Sequence, residues 1–472
     1  MKITKYLLTI ITLVCISTYT VQAVILPSIF GDHMVMQQNA DVKVWGWGKP
    51  LEYVSVCGSW STDTVTVRVE SSGKWEVSIK TPKTKEPQTL TIQGYNKVVI
   101  KDILMGDIWL CSGQSNMEWT VNQTIINGEE EATKATHKEI RFFQVMWMSS
   151  PYPSTDVKGE WMKCTPETMR KFSSIAYFFG RKLNKELDSP IGLISSNWGG
   201  TPIETWIPET KITSNTFLND AAYKLPPAPW GPNKPGLTYN TMIYPLTPFT
   251  LKGVLWYQGE ANVDNAYAYT DMLQTLVQTW REGFGDFDFY FAQIAPCNYA
   301  NVQGAQVRDA QRRALSLIDK STMVVMSDIG DTTDIHPRRK LEAGERFADA
   351  ALNRTYGHTE FPALSPLYSA YRVEGDKIIV SFANAEGLHC TGDGLQLFEV
   401  EDADGSWHKA EAEIENDKII LTCKKVKTPQ NVRFAWSNTA TPMLFNKDGL
   451  PASCFNSYDW IKNRSVKLPW EK

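Results

Sequence analysis

The sequence predicts an α/β domain on a mainly parallel sheet, flanked on both sides by β-rich regions. Two patterns carry this. From about residue 103 to 357, apolar strand-like runs alternate with longer helical segments. On either side the texture gives way to short alternating strands broken at Gly, Pro and Ser. A length of 472 residues is also too great for one compact core, so two or three domains are expected. The divisions read as 1–23, a removable leader; 24–100, an N-terminal β-sandwich domain; 101–360, the α/β domain; and 361–472, a C-terminal β-rich region.

The leader has a basic start at Lys2 and Lys5, an apolar run from Leu7 to Ile16, and a small-residue cleavage site at Val21-Gln22-Ala23. That run is short for a bilayer span, and no later segment has the length and polarity of one. The expectation is a secreted, periplasmic protein without a membrane span. The next region carries alternating strands at Val42–Trp47, Thr64–Val69, Lys74–Ile79 and Gln88–Ile92. In the α/β region, strands are expected at Ile103–Cys111, Ile140–Trp147, Ile191–Asn197, Gly253–Gln258, Phe289–Ile294 and Met323–Asp328. Helices are expected at Pro166–Leu187, Ala266–Glu282, Ala305–Leu317 and Arg338–Tyr356. Residues 210–248, rich in Pro, Asn and Thr, read as a long surface excursion, and loops of that length are often functional. Strands return at Lys377–Phe382, Leu395–Val400, Lys418–Thr422 and Asn431–Trp436.

Composition narrows the function classes. Loss of the leader removes two lysines and no acids, taking the formal charge from −4 to −6, which argues against nucleic acid as a partner. The 17 Trp and 18 Tyr tilt slightly toward a ligand with flat apolar faces, such as a sugar. Seven cysteines follow the leader, none in a CxxC, so a zinc cluster is not expected, whereas one or two disulfides are compatible with export.

Three segments carry the chemistry. In Trp109-Leu110-Cys111-Ser112-Gly113-Gln114-Ser115-Asn116-Met117 an apolar strand runs into a Gly-containing turn, exposing a serine at the sheet's carboxyl edge. A helix after it would favour developing negative charge. The plain alternative is that Ser112 and Ser115 only cap that helix. In Asp331-Thr332-Thr333-Asp334-Ile335-His336-Pro337, a loop between strand and helix presents a histidine among carboxylates. A serine hydroxyl needs a base of near-neutral pKa, and that base needs a group fixing its tautomer. Asp334 is two residues from His336; Asp331 is the fallback. Pro337 should open the helix. The alternative is a surface loop. The third signal is a pair of turns, Asn197-Trp198-Gly199-Gly200-Thr201 and Trp256-Tyr257-Gln258-Gly259-Glu260-Ala261-Asn262. Adjacent glycines permit the close backbone approach of an oxyanion hole, and Gln258 or Asn262 could add a neutral amide donor. Simple turn formation is the commoner use of Gly-Gly, and Glu260 reads best as a buried structural carboxylate. All these turns follow strands, so they should meet at one sheet edge.

Gly113-Gln114-Ser115-Asn116-Met117, Trp256-Tyr257-Gln258-Gly259-Glu260 and Asp334-Ile335-His336-Pro337 resemble the sialate O-acetylesterase family, a branch of the SGNH (GDSL-like) hydrolases. Leu26–Val35, Asn197–Glu204 and Val432–Asn438 add to the likeness, which spans nearly the whole chain after the leader. The resemblance implies a flavodoxin-like three-layer SGNH catalytic domain with flanking β-domains and no metal or organic cofactor. It implies Ser115 as nucleophile, His336 as base and Asp334 as its orienting carboxylate. It further implies an oxyanion hole from the N–H groups of Ser115 and Gly200 plus a side-chain amide. Gln258-Gly259-Glu260 stands where the wider superfamily has Gly then Asn, so that amide is Gln258, or Asn262 as the alternative.

The expected activity is hydrolysis of O-acetyl esters on sugars through an acyl-enzyme, with 9-O-acetylated sialic acid as the implied substrate. Acetylated xylan is the nearest rival. A carbohydrate-binding protein on an inactive hydrolase scaffold is a rival of another class, against which the intact Ser-His-Asp set counts. Arg308 is a candidate for pairing with a sialate carboxylate, or else a charge on a helix surface.

Overall fold

The computed structural model describes residues 24–299 and 303–458; the leader-like segment 1–23 lies outside them. Its centre is a mixed α/β fold around a mostly parallel sheet. In spatial order the strands are Ser321–Val325, Asp288–Gln293, Gly253–Tyr257, Lys97–Gly113, Ile191–Asn197 and Ile140–Gln144, all parallel, with Trp161–Lys163 antiparallel at the edge. Helices cover these strands, so they are apolar on both faces; Gly253–Tyr257 and Ile191–Asn197 are buried at every position. Register brings three turns level: Gly113 pairs with Asn197 on one side and Tyr257 on the other.

The strand Lys97–Gly113 does two jobs. Its first half pairs antiparallel with Gln88–Gln93, and its second half is the centre of the parallel sheet. One continuous strand thus joins the N-terminal β-region to the α/β core. That β-region also has strands the alternation analysis did not pick out, Val35–Gln37 and Tyr53–Gly58. In the C-terminal region two four-stranded antiparallel sheets share one core, with Ile378, Val380, Phe398, Leu421, Phe434 and Phe455 inside.

Several elements differ from expectation. The helix expected over Pro166–Leu187 is two, Pro166–Arg170 and Ser174–Leu187. Ser173 breaks it by capping the second: its Oγ accepts from Ala176 N–H at 3.2 Å and donates to the Met117 carbonyl at 2.5 Å. The second helix buries Phe178 and Phe179, each contributing about 1.5–3 kcal/mol by removal from water. Helix Lys340–Arg354 lies against it, and a Cβ at Gly344 would stand 2.6 Å from Phe178 Cβ. This last helix begins three residues after Pro337, which therefore ends the loop without opening the helix.

The 210–248 segment is no mere surface excursion: Ile212, Leu218, Ala221 and Asn240–Ile243 are buried, and only part of it is exposed. The seven cysteines after the leader are all free, so no disulfide forms among them. No helix among the described residues is long and apolar enough to cross a membrane.

Candidate active site

The turn that carries Ser115 is built by close strand passage. Gly113 has φ +136°, and a Cβ there would collide with the Tyr257 backbone, so a side chain is excluded at that point. Gln114 is extended and holds the turn by donating its N–H to the Tyr257 carbonyl at 3.0 Å. Ser115 then opens a one-turn helix, Ser115–Glu118. Its hydroxyl makes no capping bond; instead it meets His336 Nε2 at 2.9 Å, across 221 residues of chain. Ser112 is a buried strand residue.

His336 is half-buried and stacks on Trp119, with ring centroids 4.3 Å apart and planes 20° apart. Burial lowers its pKa below the ordinary value, Lys340 adds to the lowering, and Asp334 opposes it. The ring therefore stays neutral, as a base requires, to lower pH than a free imidazole. Asp334 stands beside Nδ1 at 3.6 Å, an ion-pair distance longer than a hydrogen bond, while its Oδ1 accepts the His336 N–H at 2.9 Å. Asp331, the fallback, is exposed and committed to the turn, accepting from the Thr333 N–H and hydroxyl and the Asp334 N–H.

The Gly-Gly turn reaches the same edge. Gly200 has φ +71° and lines the cleft with Ser115 and His336. Among the described residues, neither the Ser115 nor the Gly200 N–H meets an acceptor. The amides of Gln258 and Asn262 need correction as oxyanion donors. Gln258 is fully buried, and its Nε2 donates to the Thr201 carbonyl and to Asn262 Oδ1. Asn262 is buried too, with Nδ2 donating to Glu204 and Asn265. Both hold the floor together, out of the cleft.

Two side-chain amides line the cleft: Asn233, whose Nδ2 donates to the Pro226 carbonyl at 2.7 Å, and Gln114, the residue before Ser115. Gln114 Oε1 accepts from the Gly259 and Ala261 N–H groups at 3.3 and 3.2 Å, which fixes the flip and leaves Nε2 for other partners. Nothing in the strand–turn pattern singles Gln114 out from the other residues of the turn before Ser115. The same holds for Glu118: its carboxylate accepts the Gly199 N–H in a very short bond, tying the Gly-Gly turn to the nucleophile helix. Burial pushes the Glu118 carboxyl up to about 7 against the opposing Gly199 N–H.

Behind Ser115 and His336 lies a buried bridge. Asn116 Nδ2 donates to Glu260 Oε1 at 2.6 Å and to the Ile335 carbonyl at 3.0 Å, and its Oδ1 accepts from Lys340 Nζ at 2.6 Å. Asn116 follows Ser115 and Ile335 precedes His336, so one side chain fastens the Ser115 turn to the His336 loop. Glu260 is the buried structural carboxylate expected. Burial pulls it and Lys340 toward neutrality, the lysine down to about 7. Arg308 is neither a substrate clamp nor a surface charge: it is buried and donates to the Ser437 and Asn438 carbonyls, fastening the C-terminal region to the α/β core.

The cleft over this site is about 610 Å³ and largely apolar in lining, with Trp119, Trp147, Trp198 and Trp230 around the serine. No cluster of three or more metal-ligating side chains occurs among the described residues.

The family model for carbohydrate esterase, sialic acid-specific acetylesterase, matches residues 105–353. The sialate O-acetylesterase of Homo sapiens is 27% identical over 481 residues, covering 91% of this chain and 92% of that protein. That of Mus musculus is 30% identical over 406 residues, covering 72% and 75%. A crystal structure of a carbohydrate acetylesterase from Xanthomonas citri superposes with a TM-score of 0.83 at 32% identity, covering 93% of this chain and all of that one. With the family model matching more than half of its length, this chain belongs to the sialic acid-specific acetylesterase family of carbohydrate esterases and is a carboxylic-ester hydrolase.

Proposed function

We propose that the chain removes O-acetyl groups from sugars by an acyl-enzyme mechanism with Ser115 as nucleophile, His336 as base and Asp334 as its electrostatic partner. The observation that carries this is the 2.9 Å contact between Ser115 Oγ and His336 Nε2 at the carboxyl edge of the sheet. The Ser115 proton passes to Nε2 as Oγ attacks the acetyl carbonyl carbon. The carbonyl electrons move onto oxygen, where the N–H groups of Ser115 and Gly200 and the Gln114 amide receive the charge. When the carbonyl re-forms, the bond to the sugar oxygen breaks and that oxygen takes the proton from Nε2. Water, deprotonated by His336, then attacks the acetyl-enzyme and releases acetate. Each oxyanion donor in such a hole accounts for roughly 10²–10³ in rate.

Charge distinguishes two substrates within this class: the 9-O-acetylated sialic acid that the relatives' names bring forward, and neutral acetylated glycans such as xylan. We also propose export to the periplasm, on the leader-like residues 1–23; N-terminal sequencing of the mature protein should begin at Val24. The deciding experiment is acetate release from acetylated sugars and from 4-nitrophenyl acetate, with Ser115→Ala as the comparison. The variant should lose activity by a factor on the order of 10⁴ or more. Near-normal deacetylation by Ser115→Ala would sink the assignment.

A further inference from the structure

We propose that the cleft selects an uncharged acetylated glycan, stacking its pyranose rings on an indole wall, over a sugar that carries a carboxylate. This rests on the reading that Ser115 attacks the acetyl ester, and it names the substrate class of that same site.

Three of the indoles that line the cleft are tied to one another and to the turn beside Ser115. Trp147 and Trp198 stack with centroids 5.3 Å apart and planes 8° apart, and Trp147 is 55% exposed. Trp230, in the 210–248 segment, is 66% exposed and sits against Gly200. All three indole N–H groups are committed to backbone carbonyls: Trp147 to Asn197 at 3.1 Å, Trp198 to Trp230 at 3.1 Å, Trp230 to Gly200 at 3.3 Å. What these residues offer the cleft is therefore apolar surface, continuous with the turn beside Ser115. Flat indole faces match the C–H faces of a pyranose ring and make no distinction by charge-assisted hydrogen bonding.

Charge supplies the second argument. The cleft, at about 610 Å³, has room for a whole sugar unit, so a carboxylate on the reacting sugar would meet the lining. The ionisable side chains there are Glu260, Asp264 and His336, and no lysine or arginine is among the described lining residues. Lys340 is sealed behind, 2% exposed, with its ammonium on Asn116. Arg338 pairs with Asp334 at 3.9 Å and is not among the lining residues. Arg308 is buried against the C-terminal region. A sugar carboxylate here would face Asp264 at the rim without a bidentate partner, and like charges so placed discriminate strongly.

The test compares acetate release by the full chain from three substrates: 9-O-acetylated N-acetylneuraminic acid, the methyl ester of that same sugar, and an acetylated xylo-oligosaccharide. Hydrolysis of 4-nitrophenyl acetate reports separately on Ser115; its absence would fail the esterase reading itself, whatever the sugars show. We expect kcat/KM for the oligosaccharide to exceed that for the free sialic acid by roughly tenfold or more, with the methyl ester recovering part of the gap. Trp147→Ala and Trp230→Ala should each raise KM for the oligosaccharide roughly 3- to 10-fold, the loss lying in KM more than in kcat, and Trp147→Phe should restore most of it. Free sialic acid turned over as well as the oligosaccharide would overturn the proposal. So would an unchanged KM in both alanine variants, or activity on 4-nitrophenyl acetate with none on any of the three sugars.

Discussion

The loop in front of His336 and the bridge behind it hold the same imidazole in opposite ways. In front, Asp334 is 34% exposed and 3.6 Å from Nδ1, and its neighbour Asp331 faces solvent. Behind, Asn116 is 1% exposed and uses its amide on Glu260, Lys340 and the Ile335 carbonyl. Water screens the first arrangement and is excluded from the second. Hydrogen bonds strengthen as the surroundings dry, and unpaired groups there become correspondingly costly. The position of His336 should then depend more on the buried bridge and on Trp119 than on the Asp334 carboxylate.

Of the two supports of His336, the bridge should give the larger effect when broken. Asn116→Ala leaves the Lys340 ammonium and the Glu260 carboxyl without their shared partner and frees the Ile335 carbonyl. A base displaced by an ångström can cost about 10²-fold, so kcat should fall by about that factor in steady-state assays while KM moves little. Circular dichroism establishes that the variant folds. Asp334→Asn, which keeps the oxygen that accepts the His336 N–H, should cost less, roughly tenfold in kcat/KM, because the ion pair it removes is long and partly hydrated. A loss from Asp334→Asn greater than that from Asn116→Ala would reverse the comparison and make the exposed carboxylate the main support.

The two regions also differ in how far the sequence discloses them. Strand–turn spacing is local, so Ser115, His336 and the Gly199-Gly200 turn could be placed at one sheet edge from the alternation of apolar runs and helices. Parallel register then brings Gly113 level with Asn197 and Tyr257, which is why the turns converge. Asn116, Glu118 and Lys340 work across the fold, over separations of 81 to 224 residues, and no periodicity reports such partners. Lys340 did carry a faint signal, lying four residues after His336, but a lysine at a helix start is ordinarily a solvated one. The misplaced amide has the same cause. Gln258 and Asn262 follow a strand just as Gln114 does, and only tertiary packing decides that the first two are consumed by Thr201, Glu204 and Asn265.

The smallest effect is the most discriminating, because it separates charge from position. Lys340 lowers the His336 pKa through its field, while its hydrogen bond to Asn116 holds the bridge. Lys340→Met removes the charge and keeps much of the volume. Burial, the larger cause of the depressed imidazole, remains, but the contribution of Lys340 is then gone, so the His336 pKa must rise. With His336 as the proposed base, activity needs the neutral ring, so the acid limb of the kcat/KM profile moves to higher pH, and the variant loses most against the parent on the acid side. At alkaline pH, where Lys340 with a pKa of about 7 is itself neutral and the imidazole is unprotonated in both proteins, the charge contribution vanishes. Any deficit remaining there measures the lost contact to Asn116 alone. A pH–rate profile lowered by the same factor at every pH, with its acid limb unmoved, would mean that the bridge acts on His336 only through position.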